Sequence, residues 1–156
     1  DNGVHSTWVE PVAFGTRAYQ MALYTVFESG IQMLSDSPSR YLQADDFTRF
    51  ITGVPVTWDE TRAISAKVGE YLIVAKRKGN KWYVAGITNS KERERNFSIA
   101  LDFLPTDKTY KMTSYEDGYN AHTVALDYRK KVSEVTSATK LDIRMVRNGG
   151  FAAVIE

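Results

Sequence analysis

The stretch Tyr71–Thr88, YLIVAKRKGNKWYVAGIT, places two apolar runs of strand length on either side of Gly79-Asn80. Glycine and asparagine accept the positive φ that a tight hairpin turn demands, and the flanking runs are rich in β-branched and aromatic residues. The reading is a β-hairpin with strands over Glu70–Arg77 and Lys81–Asn89. Outward from it toward the C-terminus the period stays at two residues. Further strands are expected over Val56–Ser65, Asn96–Phe103, Tyr110–Asp117, His122–Val132, Leu141–Val146 and Phe151–Ile155. A second tight hairpin is expected at Asn148-Gly149-Gly150, between LDIRMV and FAAVIE. Leu141, Ile143 and Met145 alternate with Asp142, Arg144 and Val146, which gives one buried and one mostly wet face. Short strands at this spacing suit two packed sheets. The fold class is therefore mainly β: an antiparallel β-sandwich of about eight strands.

Upstream of Pro55, which cannot continue a helix, the pattern is helical. Thr16–Asp36, TRAYQMALYTVFESGIQMLSD, starts on a plausible N-cap and carries Ala18, Tyr19, Met21, Ala22, Leu23, Tyr24, Val26 and Phe27 nearly all round its first turns. A helix of that kind must be covered on more than one side. Ser37-Pro38 opens a second short helix over about Pro38–Leu42. Asp45 or Asp46 caps a third through Phe47, Phe50 and Ile51, with Gly53 placed to stop it. Two units follow, a helical segment over 1–55 and a β-sandwich over 56–156. The over-apolar helix is expected to belong to a larger assembly and, left uncovered, to offer a surface for self-association.

Composition narrows the function classes. The chain has 156 residues, 43% of them hydrophobic, enough for a real core. Twenty Lys and Arg against 19 Asp and Glu lack the basic excess that phosphate-backbone binding needs, so nucleic acid is not an expected partner. No run approaches the roughly 18 apolar residues of a membrane span. With no cysteine there is neither a disulfide nor a thiolate metal site, and compartment stays open.

Candidate chemistry is sparse. Paired carboxylates can hydrolyse a glycosidic bond, and Asp45/Asp46, Asp59/Glu60 and Glu116/Asp117 are the pairs available. Neighbours on a strand point to opposite faces, however, so Asp59 and Glu60 cannot flank one bond. Asp45/Asp46 reads more simply as a helix start and Glu116-Asp117-Gly118 as a turn. His5 and His122 are too few for a histidine-bound metal, and no calcium loop, phosphate loop or nucleophile elbow occurs. No catalytic residue and no metal ligand is assigned. Aromatic rings stack on sugars, which makes Trp58, Trp82, Tyr115 and Tyr119 candidate carbohydrate-binding residues, although Trp58 and Trp82 also suit core anchors. Lys91–Arg95 reads as a solvated loop and Asn96-Phe97-Ser98 as a chance glycosylation sequon.

Three runs carry a resemblance. GTRAYQMALYTVFESGIQMLSDSPSRYL (Gly15–Leu42), VPVTWDETRAISAKVGEYLIVAKRKGNKWYVAGITN (Val54–Asn89) and the closing RNGGFAAVIE are similar, in that order, to the C-terminal end of glycoside hydrolase family 97, bacterial α-glucosidases and α-galactosidases. The resemblance implies a large enzyme with an N-terminal β-sandwich, a central (β/α)8 barrel and a C-terminal sandwich corresponding to Val56–Glu156. Residues 1–55 would then be two or three helices left from the end of the barrel. It further implies calcium-assisted hydrolysis of α-glycosidic bonds in oligosaccharides, with catalytic and calcium-binding glutamates upstream of this chain, and a periplasmic location. The chain alone is expected to hold no cofactor and to be inactive. Its partners would be the barrel and N-terminal domain of the same enzyme. A stabilising, non-catalytic sandwich is the expected role, and a carbohydrate-binding module is the alternative.

Overall fold

Strands whose side chains alternate between two apolar faces must be covered on both, and that requirement shapes the molecule. The structure, a computed structural model, describes residues 16–26, 49–50, 52–89, 93–118 and 128–156. They include the helix α1 (Arg17–Val26) and eight strands: β1 (Glu60–Lys67), β2 (Tyr71–Lys78), β3 (Lys81–Thr88), β4 (Glu94–Ala100), β5 (Tyr110–Asp117), β6 (Tyr128–Val135), β7 (Lys140–Val146) and β8 (Gly150–Ile155). Six strands make a sheet in the order β1-β2-β3-β8-β5-β6, and β4 pairs with β7 in a second, smaller sheet. Every pairing is antiparallel.

The two sheets close on a core of Ile73, Trp82, Val84, Met112, Phe151 and Ile155 from the large sheet, Ile99, Ile143 and Met145 from the small one, and Leu101 and Phe103 from the turn after β4. Full burial of each such side chain is worth about 1.5–3 kcal/mol relative to exposure. The residues between them in sequence point the other way. Val74, Ala85, Tyr115 and Ala152 form a second cluster with Met21 and Ala22 of α1 and with Phe50. This is why β2, β3 and β8 read as nearly continuous apolar runs.

The eight expected strands are all present, with shifted ends. β1 begins at Glu60 rather than Val56, because residues 54–59 run as bends ahead of it and Asp59 accepts a hydrogen bond from the Gly79 amide at the β2–β3 turn (2.8 Å). Gly79 has φ +59° and, with Asn80 in the ordinary region, fits a type II′ turn. Asn148 takes φ +53° in the β7–β8 turn. β6 covers Tyr128–Val135 where His122–Val132 was expected, and 119–127 fall outside the described residues. The expected loop Lys91–Arg95 is corrected at its end, where Glu94 and Arg95 open β4 and Arg95 is drawn inward to Thr88 Oγ1 (3.0 Å) and Glu70 (3.7 Å), while 91–92 fall outside the described residues. The expected helix over Pro38–Leu42, the pair Asp45/Asp46, both histidines and Tyr119 lie outside the described residues. Residues 49, 50, 52 and 53 are helical.

Of the expected helix Thr16–Asp36 the description covers Thr16–Val26, and its sheet-facing side is covered. Ala18, Met21, Ala22 and Thr25, at i, i+3, i+4 and i+7, are buried against the outer face of the six-stranded sheet. Tyr19, Leu23 and Val26 are half-buried, so no described side chain of α1 is fully exposed. Phe27 and the side chain of Tyr24 lie outside the description.

Candidate functional site

The helix meets the sheet at main-chain distance, and the residues that allow this gather at one rim. Gly150 opens β8 beneath the first turn of α1, where an added Cβ would stand 2.5 Å from Tyr19 Cα and 2.8 Å from its nitrogen. Its glycine is required by that close approach rather than by an unusual φ. Ala85 and Ala152 continue the shallow floor.

Thr16 caps the helix: the Tyr19 amide donates to Thr16 Oγ1 at 3.1 Å. The same hydroxyl donates to Asp117 Oδ1 at 2.6 Å, while Asp117 Oδ2 accepts from the Val146 amide at 2.9 Å. Asp117, only 4% exposed, therefore ties helix, β5 and the end of β7 together. Burial raises its pKa from the ordinary 3.8 to about 6, against the opposing pull of hydrogen bonds from Thr16, Val146 and Gly150 and of nearby Arg144. Gly149 is small for the same reason, since a Cβ there would strike the Asp117 carboxylate and the Val146 main chain.

A main-chain relay extends the rim. The Asn89 amide donates to the Glu70 carbonyl, Asn148 to Asn89, and Thr16 to Asn148, at 2.9, 3.1 and 3.1 Å. Farther along the helix, buried Lys76 donates from Nζ to the Val26 carbonyl (2.8 Å) and lies 5.5 Å from the centre of the Trp58 ring. The arrangement holds a helix in a fixed pose on a sheet.

The candidates from sequence are scattered. Trp82 is buried in the inner core against Phe103, whereas Tyr115 is buried on the opposite face between Phe50 and Tyr128. Trp58 is half-buried, edge-on to Tyr83, and Tyr119 is outside the described residues. The three described rings do not converge on one surface.

Asp59 pairs with Arg77 and Lys78, and Glu60 with Arg62 and Arg77. The Gly79 amide, and the Lys78 and Arg77 charges, lower the Asp59 pKa, and a hydrogen bond from Arg62 lowers that of Glu60. Both are thus kept as carboxylates with cationic partners. The turn expected at Glu116-Asp117-Gly118 is corrected: Glu116 and Asp117 end β5 and are buried, with Glu116 bonded to Arg129 Nε at 3.0 Å. Asp117 was legible only as one of a pair, since its partners are 101 and 29 residues away. Among the described residues no three of His, Asp and Glu come together, so they furnish no ligand set for the calcium that the family resemblance implies.

Comparison with known proteins identifies the region to which this arrangement belongs. Residues 57–156 match the family model described as the glycosyl-hydrolase 97 C-terminal, oligomerisation. The chain is 42% identical over 147 residues to a retaining alpha-galactosidase of Bacteroides thetaiotaomicron, covering 94% of this chain and 22% of that protein. A probable retaining alpha-galactosidase of Streptomyces bingchenggensis is 25% identical over 88% of this chain and 20% of its own length. Among solved structures, a family 97 enzyme from Pseudoalteromonas sp. strain K8 in complex with acarbose superposes with a TM-score of 0.86 at 34% identity, over 92% of this chain and 23% of that one. The chain thus spans about a fifth of the length of the curated relatives it matches. The order of its strands, the helix set on their outer face and these matches together place the chain in glycoside hydrolase family 97, as the family's C-terminal region.

Proposed function

We propose that the chain is the non-catalytic end of an enzyme that hydrolyses α-glycosidic bonds, in which the sandwich steadies a catalytic barrel through α1 and brings copies of the enzyme together. One observation carries this reading: α1 is seated on the sheet at main-chain contact with Gly150 and capped through Asp117, so polypeptide arriving at Thr16 is held to the sandwich by a fixed joint. On this reading residues 1–55 close the barrel and 56–156 form the supporting domain. The description of the family model supports the assembly role. The name of the 42% identical relative supports an α-galactoside as substrate, with retention of configuration. Calcium at the barrel and a periplasmic location enter the proposal on family resemblance alone. The carbohydrate-binding alternative retains Trp58 as the one described candidate ring with partial solvent access.

Hydrolysis of 4-nitrophenyl α-galactoside and α-glucoside tests the reading. The pure 156-residue chain is expected to release no nitrophenol, and the same chain joined to its upstream barrel is expected to do so. Turnover by the short chain that disappears on Glu60→Gln would overturn it.

A further inference from the structure

The outer face of the six-stranded sheet is covered unevenly. Ala66, Leu72, Ile87 and Gly150 stand in register across β1, β2, β3 and β8 and make one transverse row. α1 closes the Gly150 end of that row through Tyr19. The next row on the same face, Val74, Ala85 and Ala152, is buried throughout. The far end of the first row stays open. Leu72 and Ile87 are half-buried and Ala66 is exposed, and with Tyr19 they line a basin of about 470 Å3. Val68 stands at its lip, fully exposed at 102%. A tight turn holds it there: the Glu70 amide donates to the Lys67 carbonyl at 2.9 Å, and Gly69 takes φ +75°, as the third position of a type II turn requires. Charge at the lip is matched internally, since Lys67 Nζ lies 2.7 Å from Glu70 Oε2.

We propose that this basin seats the catalytic barrel that precedes Thr16, through an uncharged apolar side chain lowered between Tyr19 and Val68. The proposal rests on the supporting role above and names its surface. Position is the first argument for this occupant. The Thr16 amide is linked through Asn148 and Asn89 to the Glu70 carbonyl, so polypeptide leaving Thr16 toward the N-terminus starts at the rim that also bounds the basin. The curated relatives extend well beyond this chain, which covers 22% and 20% of them. Size is the second argument. The basin offers a few apolar side chains, against the roughly 20–30 residues a side that a freely associating pair buries. A body tied on at Thr16 needs no such area, because the tether keeps it at high effective concentration. Charge is the third: Lys67 and Glu70 pair with one another, and the floor of Ala66, Leu72 and Ile87 gives a charged occupant no counter-ion.

Amide exchange and urea unfolding of two proteins, the 156-residue chain and the same chain joined to its upstream barrel, test the seat. The Val68 and Gly69 amides are expected to exchange about tenfold more slowly in the joined protein. Val68→Asp places a charge at the lip and Ala66→Trp fills the basin. Both are expected to lower the urea midpoint of the joined protein and to leave that of the short chain unchanged, because both positions are exposed there. Protection of Val68 in the short chain that grows with protein concentration would make a second copy the occupant and overturn the proposal. A joined protein that hydrolyses 4-nitrophenyl α-galactoside, yet shows neither slower exchange at Val68 nor a lower midpoint in either variant, overturns the seat and leaves the supporting role standing. If the joined protein hydrolyses neither nitrophenyl glycoside, the supporting role falls and the seat falls with it.

Discussion

The two faces of the six-stranded sheet are buried by opposite means. Inward, Trp82, Phe151, Ile155 and Met112 interdigitate with side chains of β4 and β7, and the fit is one of volume. Outward, the floor is Gly150, Ala152 and Ala85, and the polar anchors Asp117 and Lys76 grip the main chain of α1 or its cap. A face built from large side chains tolerates sliding and repacking. A face of small residues with two polar anchors admits one helix in one pose. The inner face therefore makes the domain stable, whereas the outer face fixes how polypeptide arriving from upstream is held, which is the property a supporting domain needs.

Neighbouring residues of β8 give the sharpest separation of these roles. Phe151→Ala empties the inner core beneath Gly86 and Glu116, and is expected to cost about 3–5 kcal/mol. The loss should appear as a lower urea midpoint for the whole molecule. A change confined to α1 would show that the two faces do not differ as argued.

The second effect in size is a pH dependence located on the outer face. The folded-state pKa of Asp117, about 6, lies above its ordinary value of 3.8, so the folded chain binds this proton more readily than the unfolded one. Its contribution to stability is complete below about pH 3.8 and is lost as pH rises through about 6, a swing of order 3 kcal/mol at 1.36 kcal/mol per pKa unit. Asp59, Glu60 and Glu94 have lowered pKa values and act in the opposite sense, stabilising at higher pH, but they are solvent-facing pairs. Comparison with Asp117→Asn cancels them. Wild type should gain stability relative to that variant as pH falls from 7 to 4, and a flat difference would remove Asp117 from the joint.

The same contrast explains what was legible in the sequence. Tyr110–Asp117 and the hairpin around Gly79-Asn80 could be read because strand period and turn chemistry are local. The face that Met21 takes could not be, because the helix is apolar nearly all round and only the sheet selects one side. Asp117 stood in a Glu-Asp-Gly string that resembles a turn. Its role depends on Thr16 and Val146, which only the folded chain brings near. Trp82 and Tyr115 illustrate the limit from the other side: ring chemistry suggests sugar, and burial is invisible in composition.

Gly150→Ala is the next smaller test, at about 1–3 kcal/mol for forced overpacking. The added carbon meets Tyr19 main chain, which cannot rotate away as a side chain would. The expected signature is local, with amides of α1 exchanging faster while those of β2 and β3 keep their protection. Equal loss throughout would mean that helix and sandwich open as one unit.

Least of all is expected from sugar. Trp82 is 4% exposed and Tyr115 5%, so neither ring has a face to give, and Trp58 has Tyr83 against it with the Lys76 ammonium nearby. Stacking a pyranose there would require displacing a contact that also steadies residues 52–59 over the outer face, where the Tyr83 hydroxyl reaches the Gly53 carbonyl at 3.2 Å. Titration with maltooligosaccharides is expected to leave tryptophan fluorescence without a saturable change up to millimolar sugar. A saturable change abolished by Trp58→Ala would instead make the outer face a ligand surface as well as a joint, and the division of labour between the two faces would have to be redrawn at Trp58.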